Sequence, residues 1–176
     1  MAGRPPVIYL DACIFISMIT REQRRGDEAS QVAGLVPAIE RREIIPVTSA
    51  LTRNEVLECT LDAQQKNILR KLLNPPKVQV KDVSSPILDL SQEIREYYQA
   101  MKIARTTNLP TVETPDAIHL ATAIYYDCDM LFTFDEADRE TGRLPKRGLI
   151  PLSGIVAGRY PMVICKPTVR APGLSV

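Results

Sequence analysis

Four acids stand out by where they fall in the chain. Asp11 closes the apolar run VIYL (7–10), and Asp135 closes MLFTF (130–134). Asp116 lies in the first turn of TPDAIHLATAIYY (114–126), and Glu55 lies within SALTRNEVLECTL (49–61), with Glu58 one turn further along the same face. An acid set among residues such as Tyr9, Leu10, Cys13 and Phe15 has to be capped, paired or bound to a cation, because an uncompensated buried charge is costly. If the four carboxylates converge, they repel one another and favour protonation. A hard divalent cation relieves that repulsion, and oxygen ligands suit Mg²⁺ or Mn²⁺. A cation held this way polarises a phosphate oxygen and activates water, which is the chemistry of metal-assisted phosphodiester hydrolysis. That chemistry requires no histidine base, in keeping with a chain whose single histidine is His119.

Positioning these acids calls for strands that end at them. Short apolar runs alternate with longer stretches of helical period, the pattern of an α/β domain with a parallel sheet. Strands are predicted at 7–10, 44–48, 78–83, 130–134 and 162–166. Helices are predicted from Phe15 to Met18, over 28–43 (kinked or divided by Pro37), and over 49–61 with Ser49 as cap. Further helices are predicted over 63–74, over 85–104, and over 114–126 with Thr114 as cap and Pro115 in the first helical position. In such sheets functional groups gather beyond the carboxyl ends of the strands, where strand order reverses. Strands 1 and 4, if adjacent, would bring Asp11 and Asp135 together there.

The bulk properties narrow the class. The chain has 176 residues, 45% hydrophobic and 24% charged, which suits one domain over 1–166 followed by an extended tail over 167–176. No apolar run approaches a membrane span, and MAGRPPVIYLD lacks the features of a signal peptide, so a cytoplasmic protein with no membrane partner is expected. Four cysteines without CxxC spacing read as reduced thiols, and zinc is disfavoured. The net charge is +1, yet residues 66–81 hold five basic residues and residues 143–176 hold six, neither with an acid; this reads as a solvated face and a basic tail or, given a real acidic site, as a surface for a polyanionic partner.

Each acid also has a plain structural explanation. Asp11 and Asp135 could cap the helices that follow, Asp116 could complement a helix dipole, and Glu55 could be an exposed surface residue. His119, one turn after Asp116, reads as a histidine packed in a helix of apolar and small residues. The tyrosine pairs 97–98 and 125–126 read as half-buried packing. What argues against four independent explanations is the order and spacing of the acids taken together.

That set, VIYLDACIFI around Asp11, VTSALTRNEVLE around Glu55, TPDAIHLATA around Asp116 and LFTFDEAD around Asp135, resembles the PIN domain family of metal-dependent nucleases. Within the family it looks most like the VapC-type toxins of toxin–antitoxin pairs. The resemblance implies a three-layer α/β/α sandwich with a parallel sheet in order 3-2-1-4-5. It also implies a metal site of Asp11, Glu55, Asp116 and Asp135 in an endoribonuclease that uses Mg²⁺ or Mn²⁺. Thr133 matches the family's hydroxyl position, and Asp138 is a candidate fifth acid. The implied partners are an RNA substrate, a small antitoxin and a second copy of the chain. The sequence departs from the family at Ala12, where a serine or threonine is usual, and in its extension after residue 139.

The alternative from a different class is a non-catalytic RNA-binding or scaffolding domain of the same family. Phosphotransfer enzymes with strand-end aspartates fit poorly. A dehalogenase-type phosphatase wants a second Asp two residues after the first, where this chain has Cys13, and a receiver domain wants paired acids near its start.

Overall fold

The computed structural model describes residues 4–20, 27–73, 77–104, 110–136 and 147–168. Its first strand, β1 (Val7–Leu10), lies between two apolar layers. Ile8 and Leu10 enter one core while Tyr9 enters the other, so side chains on both faces are buried. A strand buried on both faces reads as an uninterrupted apolar run, which is why VIYL was recognisable. Helix α1 (Ala12–Thr20) follows at once, then α2 (Glu28–Glu40), β2 (Ile45–Ser49), α3 (Ala50–Glu58) and α4 (Ala63–Leu72). The second half holds β3 (Gln79–Lys81), α5 (Ser85–Ile103), α6 (Thr114–Tyr125), β4 (Met130–Phe132), a short 3₁₀ turn (Ile150–Leu152), β5 (Gly154–Val156) and β6 (Tyr160–Cys165).

The sheet runs in the order β3-β2-β1-β4-β6-β5. Every pairing is parallel except β5 with β6. The expected order 3-2-1-4-5 is therefore present, with β6 as its fifth strand and β5 added antiparallel at the edge. Three residues starting at Gly154, whose φ is +111°, are too few for any alternation to be legible. Helices α5 and α6 cover one face through Ile87, Ile94, Leu120 and Ala121, and α1 to α4 cover the other through Phe15, Leu35, Val56 and Leu69. The architecture is the expected α/β/α sandwich.

Three local expectations need correction. Pro37 leaves α2 as a single helix; it sits in the last turn, where its carbonyl still accepts from the Arg41 amide at 2.9 Å. The cap of α6 is Glu113, so Thr114 and Pro115 are already helical, a shift of one residue. Ser49 does precede α3, but its hydroxyl makes no cap bond, and among the described residues its buried Oγ has no hydrogen-bond partner. Asp138 and residues 169–176 lie outside the described residues.

Candidate metal centre at the carboxyl end of the sheet

Parallel pairing of β1 with β4 carries the chain on each side to the same edge. The Asp11 amide extends the ladder by donating to the Phe132 carbonyl at 3.1 Å, and the Thr133 amide donates to the Cys165 carbonyl at 3.0 Å. Asp11 and Thr133 therefore leave neighbouring strands side by side. Thr133 Oγ1 donates to Asp11 Oδ2 at 2.7 Å and accepts from the Asp135 amide at 3.1 Å. This hydroxyl, fully buried, ties the first acid to the segment that carries the last.

Asp11 is itself firmly held. Its Oδ1 accepts from the Ala12 amide at 2.6 Å, and its Oδ2 also accepts from Cys13 Sγ at 3.2 Å. Where the family motif has a hydroxyl directly after the first Asp, this chain has Ala12, and the thiol one residue later contacts the same carboxylate. Cys13 Sγ also accepts from the Phe134 amide at 3.3 Å. Burial, then the charge of Asp11, pushes the Cys13 thiol well above its ordinary range. Burial, aided by Asp129 and Asp127 against Lys81, pushes Cys128 up to about 12. Only the thiolate alkylates readily. Iodoacetamide at pH 8 is therefore expected to leave Cys13 and Cys128 unmodified in the native chain, and to modify both in urea; mass spectrometry of peptides from the two samples checks this.

Glu55 reaches the site from α3. Its Oε2 lies 2.7 Å from Nε2 of His119, and that nitrogen is 3.6 Å from Asp11 Oδ1. His119 is 1% exposed, with Nδ1 2.7 Å from the Tyr9 hydroxyl, which accepts in turn from the Ser49 amide at 3.2 Å. Burial works against charge on this ring. The Tyr9 oxygen, the hydrogen bond to Glu55 and the charges of Asp11 and Glu55 outweigh it, so the imidazole is held well above its usual value. The ring lies between the carboxylates of Asp11 and Glu55. Asp116, 8% exposed, sits one turn before His119 on the same buried face of α6.

Hydrogen bonds thus link Asp11, Thr133 and the Asp135 backbone, His119 bridges Glu55 to the edge of Asp11, and Asp116 lies on the helix face that carries His119. The donor chemistry, hard carboxylate oxygens from the ends of β1 and β4 and from α3 and α6, fits a divalent cation. Among the described residues, no three acid, histidine or cysteine side chains already stand as a ligand set. A cation here would be held by Asp11, Glu55, Asp116 and Asp135.

The sequence model of the PIN domain matches residues 8–144, well over half of the chain. The chain belongs to the PIN domain family. No curated protein matches this PIN domain in sequence. Solved structures similar to it include a toxin–antitoxin complex from Klebsiella pneumoniae, with 25% identity and TM-score 0.49 over 72% of this chain and 84% of that one. Another is VapC20 of Mycobacterium tuberculosis, a sarcin–ricin loop cleaving toxin, with 16% identity and TM-score 0.49 over 73% and 89%. A third is VapBC2 of Rickettsia felis bound to a DNA fragment from their promoter, with 14% identity and TM-score 0.50 over 72% and 86%. The last shares the fold with this chain.

Sequence reasoning read His119 as packing and gave Tyr9 no part in this PIN domain's site. His119 is packed, as expected, but its ring nitrogens bond Glu55 and Tyr9 rather than standing among apolar groups alone. Tyr9 read as a core residue of β1, and its ring is indeed buried, yet its hydroxyl is part of the polar chain. The available signal was the spacing of three between Asp116 and His119, which puts both on one helix face. The basic segment 66–81 is represented on α4, where Lys66 and Arg70, with Arg53 of α3, rim a groove of about 400 Å³ floored by Leu57, Leu69 and Leu73. No helix among the described residues is long and apolar enough to cross a membrane.

Proposed function

We propose that this PIN domain is a Mg²⁺- or Mn²⁺-dependent endoribonuclease and the toxin of a toxin–antitoxin pair. The observation that supports it best is the junction of β1 and β4, where a buried Asp11 is locked to Thr133 and, through His119, lies beside Glu55 of a third element. Three anchored donors around one aspartate hold its carboxylate aimed, as a cation ligand must be. Bound there, the cation would polarise the scissile phosphate and its attacking water. The chain's own groups would fix the carboxylate oxygens, exclude bulk water behind Asp11, and keep Thr133 as a donor at the floor of the site. Arg53, Lys66 and Arg70, the first on the same helix as Glu55, supply positive charge for a polyanionic substrate. The toxin assignment, with a small antitoxin and a homodimer as partners, rests on the sequence resemblance and is supported by family membership.

The test is cleavage of end-labelled RNA by purified protein with Mg²⁺, Mn²⁺ or EDTA, alongside Mn²⁺ titration by calorimetry. Cleavage with metal that stops in EDTA is the expected result. Intact RNA from a chain that binds no Mn²⁺ would favour the non-catalytic scaffold.

A further inference from the structure

The site carboxylates differ in how they are held. Asp11 has a short side chain and three donors: the Ala12 amide, the Cys13 thiol and the Thr133 hydroxyl. Glu55 has one more rotatable bond, reaches in from a helix that buries only Thr52 and Val56, and keeps 23% of its side chain in solvent. Its carboxylate has one donor among the described residues, His119. A carboxylate can only accept, so Nε2 of His119 carries the proton that faces Glu55 whatever the state of Nδ1. The ring cannot turn away, because Nδ1 is engaged by the Tyr9 hydroxyl at 2.7 Å and Tyr9 is anchored by the Ser49 amide. Ser49 is the last residue of β2 and immediately precedes α3, the helix that bears Glu55. The polar chain therefore leaves the backbone at Ser49, crosses the sheet's end through β1 and α6, and returns to the helix that begins at Ala50.

We infer that Tyr9 and His119 are positioning residues, a closed relay from Ser49 to Glu55 that presets the Glu55 carboxylate for the cation. The inference rests on the metal-site reading above and adds two residues to it. Holding a flexible glutamate in place before the ion arrives removes an ordering cost from binding, the reason outer partners of ligands matter for affinity. Neither residue needs to touch metal or RNA.

Mn²⁺ binding measured by calorimetry, without RNA, tests this on the full chain, with circular dichroism confirming the fold of each variant. His119→Leu keeps the buried volume and removes the donor; it is expected to weaken Mn²⁺ binding about 10- to 100-fold. His119→Gln, whose amide can reach Glu55, is expected to restore most of the loss. Tyr9→Phe removes one hydroxyl and should weaken binding by a smaller factor. In a Glu55→Ala background His119→Leu should have no further effect, since the relay then has nothing to hold. Equal affinity in wild type and His119→Leu overturns the inference while leaving the metal site standing, as do losses that multiply in the double variant. Tighter binding in His119→Leu also overturns it and marks the ring as a cation that competes with the metal. A wild-type chain that binds no Mn²⁺ overturns the metal reading itself.

Discussion

Asp11→Asn is expected to abolish RNA cleavage, lowering the rate by about a thousandfold, roughly 4 kcal/mol of transition-state stabilisation. The side chain is nearly unchanged in shape. Its remaining oxygen can still accept from the Ala12 amide, and the hydroxyl of Thr133 can rotate to accept from the new amide. What disappears is one negative charge and one carboxylate oxygen at the meeting point of β1 and β4. The fold should survive, so circular dichroism should match wild type while labelled RNA stays intact. Wild-type cleavage by this variant in a clean preparation would mean that Asp11 has no part in catalysis.

The second large effect is on stability. Phe132 ends β4, is 2% exposed and packs into the core beneath α1 to α4. Phe132→Ala removes a ring from a close-packed layer and leaves a cavity, at a cost of about 3–5 kcal/mol. For a chain of this length, that corresponds to a fall in Tm of about 6–20 °C. The Phe132 carbonyl also accepts the Asp11 amide, so loosening here slackens the acid as well. Leu88→Ala, at a side chain 45% exposed on α5, serves as the control and should change stability by no more than about 0.5 kcal/mol. Thermal unfolding of the two variants side by side decides it; equal midpoints would mean that β4 is not part of the cooperative core.

How much of this was legible depended on whether a residue's role is set by its neighbours in sequence or in space. β1 was readable because both faces are buried and Asp11 stops the run. β5 was not, because three edge residues, two of them exposed, carry no period. The acids could be placed because each adjoins a strand end or a helix start. Tyr9 and His119 could not, because the oxygen of one meets the nitrogen of the other across 110 residues of chain. Nothing in VIYL signals that its tyrosine hydroxyl faces a histidine. A lone histidine in LATA-like surroundings reads as packing until the glutamate of another helix is brought to it.

The bond between Thr133 and Asp11 spans 122 residues. β4 enters between β1 and β6, so the first acid acquires its floor only once residue 133 of the 176 has been made. Contacts this distant in sequence form late. A ribosome-bound chain that has not yet reached Thr133 contains Asp11 and Glu55 but neither the hydroxyl that holds Asp11 nor the strand that pairs with β1. In the ribonuclease proposed above, that order of assembly is a safeguard of timing: the site closes only after β4 has joined β1, so cutting power follows the completed sheet rather than the first half of the chain.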